Sequence, residues 1–171
     1  MAPLLRKVRH NRWYAALSSR GQPLPADPVG DLGTTDNSLS VWQVLTNDTN
    51  LEDIVVAIAA TLDYLTNIDV VLVDEQPIRH LGIKVEPTQG RTPLRRATGY
   101  HRHLVQLRAQ TLLEIAEVIR NQGDFRDFSE KEVRQLLARY ISEGSLNPSE
   151  LKDRVKEHLE SRNLIPPSPG A

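Results

Sequence analysis

At 171 residues, with 39% hydrophobic and 25% charged side chains, the chain has the size and composition of about one globular domain, with enough length for a self-sufficient core. It contains no cysteine, which excludes disulfides, thiolate metal sites and cysteine nucleophiles. The formal net charge is only −1, yet the charges are segregated along the chain, which concerns surface fields and association rather than fold.

The first twenty residues hold Arg6, Lys7, Arg9, Arg12 and Arg20 and no acid. Residues 21–90 hold eleven acids against Arg79 and Lys84. Residues 91–108 are basic again, with Arg91, Arg95, Arg96, Arg102 and Arg108, joined by His101 and His103. No run has the length of a membrane span, and the start lacks the apolar core of a secretory signal. Residues 1–26 have the base-rich, acid-free composition of a transit leader. The expected reading is a basic element of the fold instead.

Taken in chain order, residues 4–17 read as a strand or extended arm, and 21–37 as a connector rich in Pro, Gly and Asp. Leu39 to Leu45 alternates as a strand. Thr49 and Glu52 have capping-box spacing, and Leu51, Ile54, Val55, Ile58, Leu62 and Leu65 recur at helical period, predicting a helix over 50–65. Ile68 to Val73 is a β-branched run expected to be a central strand, parallel to 39–45 in a right-handed βαβ unit. Leu81 to Val85 is a further short strand.

Thr92 and Pro93 mark a helix start, and the apolar residues from Leu104 to Ile119 predict one long packing helix from there to about Asn121. Ser129 and Glu132 form a second capping box that opens a helix over 130–142. Asn147 and Pro148 cap a last helix running to Arg162. The expected architecture is α+β: a small mixed sheet of three or four strands with one βαβ unit, packed by the long central helix. The expected divisions are a core over 1–122, a C-terminal helical hairpin over 123–165 and a flexible tail over 166–171.

Three clusters invite chemistry. Arginines at the positive end of a helix dipole are disfavoured by about 0.3–1 kcal/mol each, so the block from Arg91 to Arg108 calls for a counter-charge. The acidic block of the same chain could supply it, or a bound anion or acidic partner. Partner or anion binding is therefore assigned to Arg91, Arg95, Arg96, Arg102 and His101. His101 and His103 would share one face of a strand, but the predicted helix separates them by about 200°, which removes them as a chelate. Asp48, Asp74 and Glu75 follow predicted strand ends and form the alternative metal site, with His80 and Arg91 in neighbouring loops.

There is no P-loop, dinucleotide fingerprint, nucleophile elbow or zinc-protease motif. Ser38 and Ser40 have no base at readable spacing, and no aromatic ladder interleaves with the arginines. The expected function is a non-enzymatic, cytoplasmic, bacterial interaction or assembly module without a cofactor. It would use its opposed charges to bind a protein partner or itself as a homo-oligomer. A phosphate- or nucleic-acid-binding protein is the alternative, and a metal-dependent hydrolase or nuclease the second alternative. No membrane role is expected.

Overall fold

A computed structural model of the chain describes residues 2–166. Of the expected tail at 166–171, all but Pro166 lies outside the described residues. The chain is α+β and forms two compact units that do not follow chain order. Among the described residues the first comprises 2–49, 69–90 and 99–127; the second comprises 50–68, 91–98 and 128–166.

The first unit is built on six strands: β1 (Pro3–Val8), β2 (Leu39–Gln43), β3 (Ile68–Asp74), β4 (Lys84–Pro87), β5 (His101–Val105) and β6 (Asp124–Phe128). They lie in the order β4-β5-β2-β1-β3-β6. The pairings β1–β2, β1–β3, β2–β5 and β4–β5 are all antiparallel. This corrects the expected small mixed sheet of three or four strands. β2 and β3 do run in the same direction, but β1 is inserted between them and pairs with both, so the two are not neighbours in the sheet. The signal for β1 was weak because Arg6 and Lys7 interrupt its apolar residues. Leu4, Leu5 and Val8 are nevertheless buried. Arg6 is accommodated by donating from Nη1 to the Ser40 carbonyl at 2.9 Å.

The predicted long helix over 93–121 is likewise replaced. Residues Arg95–Tyr100 form a 3-10 segment and His101–Val105 is β5; a helix begins only at Ala109. The two histidines of the tetrad from His101 to Leu104 recur at strand period, and its Leu104 enters the core as a strand residue, paired with Leu39 and Val85.

Helices α1 (Tyr14–Ser18), α2 (Ala26–Asp31), α4 (Glu75–His80) and α5 (Ala109–Gln122) also belong to this unit, and the first three pack against α5. Core residues within or flanking these helices, among them Trp13, Leu32, Ile78, Ile115 and Ile119, join Leu4, Leu39, Val41, Val71 and Leu104 from the sheet. Burying each such large aliphatic side chain contributes about 1.5–3 kcal/mol. Gly123 closes α5, and a Cβ there would stand 2.5 Å from the Ile119 carbonyl oxygen and 2.6 Å from Val71 Cγ2. Helix and sheet approach there too closely for a side chain.

The second unit holds α3 (Leu51–Ala59), α6 (Glu130–Ser142) and α7 (Asp153–Ser161). The expected helix over 50–65 is thus shorter, and every residue from Ile54 to Ala60 is buried. The last helix starts at Asp153, because Asn147 caps a separate 3-10 turn over Pro148–Glu150. α6 opens on the predicted capping box: the Ser129 N–H donates to Glu132 at 2.7 Å and the Glu132 N–H donates to Ser129 Oγ at 3.3 Å. α3 packs on α6, and Arg139 reaches Glu52 at 2.5 Å. Glu130 and Arg134 on α6 both meet His158 on α7, at 3.3 and 3.2 Å. Among the described residues no helix is long and apolar enough to cross a membrane.

Candidate functional site

The predicted basic cluster divides between the units. Arg91, Arg95 and Arg96 fall in the second, His101 and Arg102 in the first.

In the second unit Arg96 is a fixed part of the structure. Its Nε and Nη2 donate to Asp53 Oδ1 at 3.0 and 2.7 Å, and its guanidinium lies 4.6 Å from the centre of the Tyr140 ring. The hydrogen bond to Asp53 raises its pKa above the ordinary arginine value. Tyr140 donates its hydroxyl to the same carboxylate oxygen at 2.6 Å. Burial first, and then the bond to Asp53, push the phenol up to about 12. Asp53 thus receives three donors and Glu52 is taken by Arg139, so these two acids are already paired.

Arg91 and Arg95 are different. Both are exposed, and neither guanidinium has a hydrogen bond or ion pair among the described residues. Arg95 lines a polar surface cavity of about 420 Å³ together with Pro93, Arg96, Ser145, Asn147 and Glu150. Its polar side chains are two guanidinium groups, a hydroxyl and a side-chain amide, with one carboxylate, Glu150. Such a cavity is suited to carboxylate or phosphate oxygens.

In the first unit, β5 places the two histidines on one face, which overturns their separation in the predicted helix. Their ring centres are 5.0 Å apart with planes inclined at 70°. Thr88 Oγ1 lies 2.6 Å from His101 Nδ1, and Ser40 Oγ lies 3.3 Å from His103 Nε2. The Trp42 ring meets His101 edge-on at 4.8 Å. Burial, followed by the positive surroundings of His103, Arg102 and Arg6, pulls the His101 pKa down to about 4. Arg102 points to the opposite face, where Nη2 donates to Gln43 Oε1 at 2.6 Å and Nη1 to the Gly99 carbonyl at 2.7 Å.

The acidic positions do not converge. Asp48 and Asp74 line one cavity of about 200 Å³ with Asp124, but Arg126 lines it too and bridges Asp48 at 2.6 Å and Asp124 at 2.7 Å. Those two bonds raise the Arg126 pKa. Glu75 is buried and bound by Arg79 at 2.5 Å. His80 and Arg91 are both exposed, and neither side chain has a polar partner among the described residues. Among the described residues no three metal-ligating side chains are grouped to hold an ion.

Sequence reasoning missed Ser40, Trp42, Thr88 and His103 as one constellation. The available signal was the His-x-His alternation itself, which has the period of a strand. The partners on β2 and beyond β4 are far away in sequence and are brought in only by the register, Trp42 opposite His101 and Ser40 opposite His103. Compared with family models, with curated proteins and with solved structures, the chain shows no match.

Proposed function

We propose that this protein is a non-enzymatic interaction module of the cytoplasm that docks an acidic segment of a partner protein on the Arg91–Arg96 surface of its second unit. The observation that carries the reading is that the guanidinium groups of Arg91 and Arg95 have no acidic partner among the described residues, while Asp53 and Glu52 are bound by Arg96, Tyr140 and Arg139. Arg96 presents the rim of the same cavity while its own charge is balanced by Asp53. An acidic chain would supply the missing counter-charge without displacing any internal pair. Charge complementarity of this kind sets orientation and encounter rate more than raw affinity.

The test is titration of a fluorescent glutamate-rich peptide against wild type and the double variant Arg91→Glu/Arg95→Glu. Affinity is expected to fall at least tenfold in the variant with the melting temperature unchanged, since both side chains are exposed. Equal affinity would refute the assignment. Arg96 is left intact because its replacement would disturb Asp53 and Tyr140. Inorganic phosphate serves as competitor: tight binding of phosphate alone, with no peptide binding, would turn the reading to the phosphate-binding alternative.

A further inference from the structure

We propose that His101 and His103 form a two-imidazole chelate for a divalent late transition ion, with zinc or nickel the fitting class and water completing the coordination. This site lies in the first unit and is independent of the arginine surface.

The geometry begins with the strand. Residues two apart in an extended chain project to the same face, so β5 presents both rings together. Around an ion with nitrogen ligands at about 2.0–2.1 Å in tetrahedral arrangement, the centres of two imidazoles lie roughly 5 Å apart. The observed separation is 5.0 Å. The separation of the ring centres thus matches that of two imidazoles on one ion.

Each ring is also anchored through one nitrogen and, among the described residues, left open at the other. Thr88 Oγ1 holds His101 at Nδ1, and Ser40 Oγ holds His103 at Nε2. In the neutral tautomers that donate to these hydroxyls, the remaining lone pairs are on His101 Nε2 and His103 Nδ1. Anchoring of the second ring nitrogen is the usual way a protein orients metal-binding histidines.

The frame around the rings resists rearrangement. Trp42 packs edge-on against His101. Gly90 is buried against both, and a Cβ on it would stand 3.1 Å from His101 Cβ and 3.2 Å from Trp42 Cη2. The cation between the histidines in sequence, Arg102, is held on the other face by Gln43. Imidazole donors favour zinc, copper and nickel over magnesium or calcium, which want oxygen. With two protein ligands the site should bind more weakly than a centre built from three or four.

The experiment is calorimetric titration of the full chain with zinc chloride alone at neutral pH, with magnesium chloride as comparison. One zinc per chain is expected, weakened at least tenfold in both His101→Ala and His103→Ala and unchanged in His80→Ala and His158→Ala. Magnesium should give no heat. Absence of zinc binding, or binding that survives both β5 substitutions, would overturn the proposal. If either variant fails to fold, wild-type histidine ring signals in nuclear magnetic resonance decide the matter. Substoichiometric nickel should broaden His101 and His103 first. Earlier broadening of His10, His80 or His158 would overturn it equally.

Discussion

Single residues set the tightest constraints on this molecule. At Gly123 there is no room for a Cβ, which would press on the Ile119 carbonyl oxygen and on Val71. Gly123→Ala should therefore destabilise the protein by about 1–3 kcal/mol, the usual cost of overpacking, despite alanine's ordinary backbone preferences. Chemical denaturation checks this, and an unchanged midpoint would mean that helix and sheet separate freely at that point. Tyr140 carries a pH prediction. Its phenol is raised from 10.0 to about 12, so folding favours the protonated form. The corresponding stability is fully present below pH 10 and is lost as pH rises through about 12. Ultraviolet titration should show one of the four tyrosines ionising late, and Tyr140→Phe should remove that late step. A late step that persists in the variant would assign it to another tyrosine.

At the level of elements, legibility followed whether the deciding interactions were local. α6 starts and ends where its capping box and apolar period place it, because Ser129 and Glu132 satisfy each other within one turn. Ser129→Ala is expected to cost about 1 kcal/mol of stability, measurable by thermal or urea unfolding, whereas an unaffected transition would mean that the cap is replaced by water. The stretch from Pro93 to about Asn121 reads as one helix only if long-range pairing is ignored. β5 exists because β2 and β4 flank it, and neither neighbour is visible in its own sequence. β1 was underread for the same reason: Arg6 looks like a surface residue until the Ser40 carbonyl is brought to it. The basic cluster was legible as composition. Its division between two units, and the pairing of His103 with Ser40, were not, since both depend on register.

At the scale of the whole molecule, the segregated charge is partly spent within the chain. Asp27 and Asp31 meet Arg12 and Arg9, Asp48 meets Arg126, and Glu52 and Asp53 meet Arg139 and Arg96. The exposed pairs among them, such as Arg12 with Asp27 and Arg139 with Glu52, are worth about 0–1 kcal/mol each, so their main effect is to remove acids from the free surface. What remains at residues 91–96 is Arg91 and Arg95. Arg96→Glu should behave differently from their reversal: it places a third carboxylate beside Asp53 and Glu52 and should lower the melting temperature, while Arg91→Glu/Arg95→Glu leaves it unchanged. The central claim, that the unpaired arginines dock an acidic partner, is tested most directly by the salt dependence of glutamate-rich peptide binding in wild type and in that double variant. The account predicts that wild-type affinity falls steadily as ionic strength rises and that the variant binds weakly with a flattened dependence. Wild-type binding that ignores salt, or two parallel salt curves, would contradict it.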